Sequence, residues 1–221
     1  MRGALPRAKV LPMFSLPIAI DLVAVAVFAV TGALSASRRG MDIIGYLWLG
    51  AVTGVGGGTV RDLLIGQPVF WVREPAYVIA AVVASIAVYF TAHLARSRYR
   101  VILWLDALGL ALVSVAGAAK ALAVGTGPVV AIVMGVVTAT LGGIIRDILA
   151  HQPSILLARE IYVTASLLGA TVAVAATGLG LPGWGAAAAG IAAAFLVRAG
   201  ALVRGWTLPG RGAPEAEDQT P

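Results

Sequence analysis

Long uncharged stretches constrain this chain more than any other feature. Charged side chains are missing from residues 22–37, 43–60, 75–95, 107–119, 121–145 and 161–197. Most of these stretches approach the ~20 residues that cross a hydrocarbon layer of ~30 Å as an α-helix. Only 26 of the 221 residues are Lys, Arg, Asp or Glu, about half of the ~25% usual in soluble domains. So few charges cannot solvate a globular surface, and the sequence therefore predicts a membrane protein.

Seven helices fit the pattern of uncharged stretches. The stretch 161–197 is too long for one span and contains a Gly- and Pro-rich turn at 178–183, which divides it into two. The predicted spans are 18–37, 42–64, 75–93, 102–122, 128–149, 160–177 and 184–203. An eight-strand β-barrel is a poor alternative, because it needs alternating apolar and polar residues and these runs are apolar on all faces. The apolar content excludes disorder, and the absence of Cys excludes a disulfide scaffold.

The chain contains an internal duplication. A shift of 85 residues aligns 21–77 with 106–162 without a gap, and 18 of the 57 aligned positions are identical. The skewed composition alone would give about five or six matches. The matches include Asp21 with Asp106, Thr53 with Thr138, Gly57-Gly58 with Gly142-Gly143, Arg61-Asp62 with Arg146-Asp147, and Tyr77 with Tyr162. Polar and charged residues thus recur as faithfully as small apolar ones.

The duplication predicts the architecture. Each repeat holds three spans, so the second copy enters the membrane from the opposite face. The predicted fold is an all-α membrane protein of seven transmembrane helices, with two inverted three-helix repeats plus a seventh helix. Its parts are an N-terminal segment (1–17), repeat 1 (18–93), a basic loop (94–101), repeat 2 (102–177), the seventh helix (184–203) and a disordered tail (207–221). The positive-inside rule favours an outside N-terminus, which gives ten basic residues inside against six outside.

The second helix of each repeat carries clustered glycines, namely Gly56, Gly57 and Gly58 in the first repeat and Gly142 and Gly143 in the second. Glycine costs a helix ~1 kcal/mol relative to alanine, so we expect both helices to break inside the membrane. The freed carbonyl groups, with the hydroxyls of Thr53 and Thr138, would line an ion or solute pathway near the midplane. Close helix packing is the alternative, because small residues recur every four positions in both segments.

Lys120 is the best candidate for a functional charge within the membrane. It lies about 21 Å along the fourth span from Asp106, at a level similar to that of Gly56–Gly58. Two interpretations remain open: its ammonium docks on carbonyls freed by the helix break, or it snorkels to the outer interface. Its repeat partner is Ser35, so this charge breaks the pseudo-symmetry.

Acidic residues and Arg-Asp pairs recur at predicted helix ends. Asp21 and Asp106 begin the first and fourth spans, where they either complement the helix dipole or attract cations in a vestibule. Arg61-Asp62 and Arg146-Asp147 end the second and fifth spans. We interpret them as interfacial ion pairs that fix helix ends, with a vestibule as the alternative. No metal-ligand spacing and no Ser-His, Asp-Asp or HExxH constellation is present, so neither a metal site nor an enzyme is predicted.

Together these features resemble a bacterial member of the trimeric intracellular cation channel family. The resemblance rests on the two three-helix repeats with a seventh helix, the Asp that begins each repeat, and the glycines followed by Arg-Asp, and it covers about residues 18–203. It implies a homotrimer in which each protomer has its own potassium-permeable pore, constricted where the second and fifth helices kink. The kinks correspond to Gly56–Gly58 and to Gly142-Gly143, which is one glycine short of the fuller pattern.

The resemblance implies passive conduction of potassium, with sodium as a further candidate ion, across a lipid bilayer identified as the bacterial inner membrane. It implies no cofactor and no nucleic-acid partner, and Lys120 would close or tune the path. Phosphoinositide regulation is not carried over, because residues 93–100 read HLARSRYR without the Lys-Glu-Val motif of animal members. A secondary transporter of a small amino acid such as glycine is the alternative, since inverted repeats suit that function equally.

Overall fold

The computed structural model describes residues 18–94, 97–152 and 161–207. The predicted N-terminal segment, residues 95 and 96 of the basic loop, residues 153–160 and the tail from 208 onward lie outside the described residues. Almost all of the described chain is helical. Its α-helices are α1 (Ile18–Arg38), α2 (Ile43–Leu64), α3 (Phe70–Arg73), α4 (Ala76–Thr91), α5 (Arg98–Ala123), α6 (Pro128–Leu149), α7 (Val163–Gly178) and α8 (Gly183–Arg204).

The predicted all-α membrane fold is confirmed. Seven of these helices coincide with the predicted spans to within four residues at each end. Six of the described helical segments are long and apolar enough to cross a membrane, and α4 reaches this length only with the 3-10 turn Ala92–Leu94 that follows it. Helix α7 has only 16 residues. The one helix without a sequence prediction is α3, a single turn between α2 and α4.

The duplication extends to the hydrogen bonds that end helices. Gly40 and Gly125, which the 85-residue shift aligns, have φ angles of 65° and 88° after α1 and α5. A residue with a Cβ would adopt this left-handed conformation at a cost of roughly 1–2 kcal/mol. The residue after each glycine donates to a carbonyl five residues back at 3.2 Å, from Met41 to Ala36 and from Thr126 to Ala121. The two glycines therefore reverse the chain by the same cap.

The helices form two bundles that correspond to the two repeats. In the first repeat α1, α2 and α4 pack together, and in the second α5, α6 and α7 do so. The bundles meet where α1 packs against α5 and α2 packs against α6, while α8 packs against α5 and α7. The four helices α1, α2, α5 and α6 therefore form the centre of the molecule, and the helix outside the duplication adds to the second bundle.

The glycine clusters lie where α2 crosses α6, and the predicted breaks are wrong. Both helices run continuously through their glycines. A Cβ on Gly142 would lie 2.7 Å from the Thr53 carbonyl oxygen, and one on Gly57 would lie closer still to the Thr138 carbonyl oxygen. An unsatisfied backbone group in lipid costs several kcal/mol, which exceeds the ~1 kcal/mol propensity cost of each glycine. The helices therefore stay intact, and the missing side chains permit close packing.

Replacing Gly142 by Ala should destabilise the protein by about 1–3 kcal/mol, the usual cost of overpacking, because the added methyl group overlaps the Thr53 carbonyl. Gly185→Ala is the matched control, because Gly185 also lies within a helix and a Cβ there would meet nothing within 4 Å. Thermal unfolding of both variants in detergent, followed by circular dichroism, measures the difference. Equal melting temperatures would contradict the close crossing.

Candidate functional site

A cavity of about 260 Å³, lined by both polar and apolar groups, lies at the end of the bundle where α1 begins and α2 and α5 end. Its polar lining consists of Asp21, Arg61, Tyr77, Lys120 and Thr138. Small residues also border it, namely Ala24, Gly54, Gly58 and Ala116. The duplicated acidic and basic residues of the first repeat thus meet in one space, together with Lys120 from the second repeat.

Asp62 holds the basic side of this cavity together. Its carboxylate is fully buried and accepts hydrogen bonds from Arg61 Nε at 2.8 Å and from the Phe70 backbone N–H at 2.9 Å. Lys120 Nζ lies 2.8 Å from one carboxylate oxygen and 2.9 Å from the other. A buried carboxylate is tolerated only when it is paired and hydrogen-bonded, and Asp62 therefore fixes the positions of both cations.

Lys120 docks on a carboxylate, not on backbone carbonyls. The prediction that carbonyls freed by a break in α2 would bind its ammonium is wrong because α2 is unbroken. Asp62 holds the side chain, of which 34% is exposed, and the interpretation that it snorkels to the membrane interface stays a prediction. Its Nζ lies 5.6 Å from the centre of the Phe70 ring. Phe70 could not be predicted as a site residue, because a single helical turn carries no periodicity.

Asp21 faces the same cavity, and no described residue bonds to its carboxylate. It lies in the first turn of α1, as predicted. Among the described residues, no group forms a hydrogen bond or an ion pair with its carboxylate. Arg61 and Lys120 are near enough to interact with it electrostatically. The cavity therefore has a negative side at Asp21 and a positive side at the two cations.

The repeat-equivalent residues form a closed ion-pair network at the other end. Arg146 and Asp106 are both almost fully buried, at 1% and 0% exposure. Arg146 Nη1 donates to Asp106 Oδ1 at 2.6 Å and to Thr31 Oγ1 at 3.0 Å, and its Nε donates to Asp147 Oδ1 at 2.9 Å. The guanidinium is thereby fixed between two carboxylates. In the described ranges no cluster of three or more His, Asp or Glu is placed to hold a metal ion.

One prediction about these charges is wrong. Asp106 does not begin a helix, because α5 begins at Arg98 and Asp106 lies about two turns inside it. Each Arg-Asp pair forms an ion pair near the end of its helix and is buried within the protein, with residue exposures from 0% to 7%. Its position at the membrane interface stays a prediction. Burial is tolerated because each guanidinium bonds directly to the carboxylate of the next residue. Asp21 and Arg61 do line a cavity, as the vestibule alternative requires.

Arg198 and Tyr162 were not predicted as site residues. They connect the Arg146–Asp106 network, here called the second site, to α8. Arg198 Cζ lies 5.3 Å over the ring of Tyr162, and both residues are at most 2% exposed. Arg198 could have been predicted as a functional residue, because it is an arginine within the predicted seventh helix. Ser35, the repeat partner of Lys120, is buried, and its hydroxyl has no hydrogen-bond partner within the described part of the chain.

The residues predicted to line the ion pathway do not lie together in one place. The hydroxyls of Thr53 and Thr138 each donate at 2.5 Å to a carbonyl one turn earlier, those of Leu49 and Met134. Of this predicted set, only Thr138 and Gly58 line the cavity. The others lie at the helix crossing (Gly57 and Gly142), beside Ile145 (Gly56) and beside Tyr162 (Gly143). The structure brings the charged candidates together more closely than the glycines and threonines.

Comparison with known proteins reproduces the duplication. A family model described as Glycine transporter matches twice, at residues 18–93 and 103–178, which are the ranges that the 85-residue shift superimposes. The UPF0126 inner membrane protein YadS of Escherichia coli K12 is 44% identical over 158 residues, which cover 69% of this chain and 75% of that protein.

Solved structures agree with the fold over most of the chain. The TRIC trimeric intracellular cation channel orthologue from Rhodobacter sphaeroides is 56% identical, with a TM-score of 0.84, and the match covers 86% of this chain and 98% of that one. This chain belongs to the trimeric intracellular cation channel family. A further TRIC cation channel structure is 30% identical, with a TM-score of 0.81 and coverage of 91% and 100%. The family resemblance predicted from the sequence is confirmed.

Asp106→Asn should destabilise the protein by about 3–5 kcal/mol, the usual cost of removing one partner of a buried ion pair. Asp21→Asn makes the same chemical change at the equivalent repeat position, where no bonded partner is lost, and should cost about 1 kcal/mol or less. Thermal unfolding in detergent compares the two variants. An equal loss of stability in the two variants would contradict the buried ion pair at Asp106 and the unbonded carboxylate at Asp21.

Proposed function

We propose that this protein is a passive channel for monovalent cations, with potassium as its main ion and sodium as a further one. The observation that carries the proposal is the similarity to a solved cation channel orthologue over 86% of this chain at 56% identity. The cavity lined by Asp21, Arg61, Lys120 and Thr138 supports it, because a cation requires a hydrated route through the bundle.

The proposed path lies within one protomer. It enters the cavity at Asp21, passes Thr138 beside the α2–α6 crossing, and reaches the buried Arg146–Asp106 pair at the far end. The Thr138 hydroxyl keeps lone pairs that can replace part of an ion's hydration shell. The glycines contribute by admitting close helix approach and leaving space, not by freeing carbonyls. An intact Arg146–Asp106 pair obstructs the path, and we assign this arrangement to the closed channel.

We further propose a homotrimer in the bacterial inner membrane, with the N-terminus outside and the C-terminus in the cytoplasm. Relatives described as a trimeric channel orthologue and as an inner membrane protein support the assembly and the membrane. The excess of basic residues on one side, ten against six, supports the orientation. The cavity then faces outward, and Arg38 and Arg39 at the end of α1 face the cytoplasm.

Secondary transport of a small amino acid such as glycine is the second candidate. Two observations favour it: the matching family model is described as Glycine transporter, and the inverted three-helix repeats are an architecture shared with secondary transporters. It differs from a channel in rate, because a transporter completes one conformational cycle for each substrate that crosses.

Purified protein in planar lipid bilayers with a potassium gradient should show discrete unitary currents that reverse near the potassium potential. The ion flux should far exceed the ~1–10³ events per second of enzyme-like turnover. Liposomes made from the same preparation provide the comparison by measuring uptake of labelled glycine. Saturable glycine exchange without unitary currents would reverse the ranking of the two candidates.

Lys120→Gln should raise the unitary cation conductance severalfold, because the substitution removes a positive charge from the cavity wall. It should also reduce any voltage dependence, since a charge crossing the full field contributes ~2.3 kcal/mol per 100 mV. Arg73→Gln is the matched control: Arg73 is exposed at the end of α3 and does not line the cavity. Unchanged conductance and gating in Lys120→Gln would place Lys120 outside the ion path.

A further inference from the structure

The positive and negative charges at the cavity are equal in number but lie on different sides of it. They belong to Asp21, Arg61 and Lys120, which line it, and to Asp62, which binds both cations. Asp62 is shared by Arg61 and Lys120, so this side carries one positive charge in excess. Asp21 carries one negative charge and, in the described part of the chain, has no bonded partner. The four side chains sum to zero, yet the positive and negative groups lie on different helices around a common space. Such a cavity presents a dipole to whatever enters it.

The second repeat shows what an arginine at this position binds. Arg146 and Arg61 each donate from Nε to the next residue's carboxylate, at 2.9 and 2.8 Å. Arg146 Nη1 also binds the carboxylate of Asp106 at 2.6 Å. Arg61 Nη1 has no acceptor among the described residues, although Asp21 is the repeat equivalent of Asp106. The first site is therefore an arginine site that lacks the carboxylate its duplicate binds.

A simple ion matches only one side of this cavity. An anion that binds Arg61 and Lys120 is repelled by Asp21, and a cation that binds Asp21 is repelled by the two basic residues. A solute with a carboxylate at one end and an ammonium at the other satisfies both sides at once. Charge-assisted hydrogen bonds of both kinds then form in one complex, and the total charge of the cavity does not change.

The volume of the cavity suits a small solute. Its volume of about 260 Å³ is below the ~300–1,000 Å³ of sites for drug-sized ligands. The Phe70 ring borders the space near Gly58, where a Cβ would lie 2.6 Å from a ring carbon. A compact amino carboxylate fits within this volume together with several waters.

We propose that the cavity binds a small amino carboxylate as a zwitterion, with its carboxylate on Arg61 Nη1 and Lys120 Nζ and its ammonium on Asp21. The ligand's carboxylate takes the role that Asp106 has in the second repeat. Because the cavity lies on the proposed cation path, the bound zwitterion obstructs that path. Only this obstruction depends on the proposed channel function; the binding itself does not.

Calorimetric titration of the full chain in detergent tests the binding, with glycine, acetate and methylammonium as probes. Acetate and methylammonium each carry one of glycine's two charges at a similar size. We expect glycine to bind and each single-charge probe to bind at least tenfold more weakly. Equal binding of acetate and glycine would make this an anion site and overturn the proposal, as would equal binding of methylammonium and glycine.

Variants test the assigned contacts. Asp21→Asn and Lys120→Gln should each weaken glycine binding by about tenfold to a hundredfold, the range for a lost hydrogen bond to a charged group. Asp42→Asn is the matched control: it removes an exposed carboxylate from the N-cap of α2, where Asn caps as well as Asp, and should leave binding unchanged. Glycine affinity unaffected by Asp21→Asn would overturn the ammonium assignment.

Unitary currents separate this inference from the proposed channel function. Glycine added on the cavity side should shorten the open intervals, and acetate at the same concentration should not. If potassium currents appear but glycine neither binds nor blocks, the zwitterion site is refuted and the channel remains. If glycine binds with the expected probe selectivity and no currents appear, the site is supported and the channel function is contradicted.

Discussion

The bilayer's demand that backbone hydrogen bonds remain satisfied governs this structure. Because α2 and α6 cannot expose carbonyls to lipid, they stay helical through glycines that would weaken a helix in water. Their missing side chains then allow a close crossing, with Gly57 against the Thr138 carbonyl and Gly142 against the Thr53 carbonyl. This crossing joins the two repeats at the centre of the bundle. The cavity and the buried ion-pair network lie on either side of it.

Most of the fold was predictable because its determinants are local. Apolar runs long enough to cross a membrane predicted the helices. Gly40 and Gly125, which the duplication aligns, follow the ends of two of these helices with similar positive φ angles. Two features were not predictable in this way. The supposed breaks rested on helix propensities measured in water, which do not include the cost of unpaired backbone groups in lipid. The short helix α3 has no periodicity, yet it supplies Phe70 to the cavity.

The sequence was sufficient to predict which charged residues form the candidate site, but not which of them bind each other. The duplication selected the acidic and basic residues, since chance does not repeat Arg-Asp pairs at one interval. Which carboxylate each cation binds depends on how separate helices approach each other, between the repeats for one cation and within a repeat for the other. Lys120 therefore meets Asp62, fifty-eight residues away, and Arg146 meets Asp106. The depth of Asp106 also depended on where α5 begins, and an arginine at position 98 gave no sign that the helix starts there.

Equivalent residues behave differently at the two ends because their surroundings are not duplicated. Lys120 takes up one carboxylate in the first site, and its partner Ser35 cannot do so in the second. The helix α8 packs on the second bundle and places Arg198 over Tyr162, whereas Tyr77 packs edge-on against Phe70 at 4.8 Å. Arg146 thus binds Asp106, whereas Arg61 lines the cavity and its Nη1 has no acceptor among the described residues. Two identical ends could not distinguish outside from inside. One lysine and one added helix therefore make the two ends of an inverted duplication chemically different.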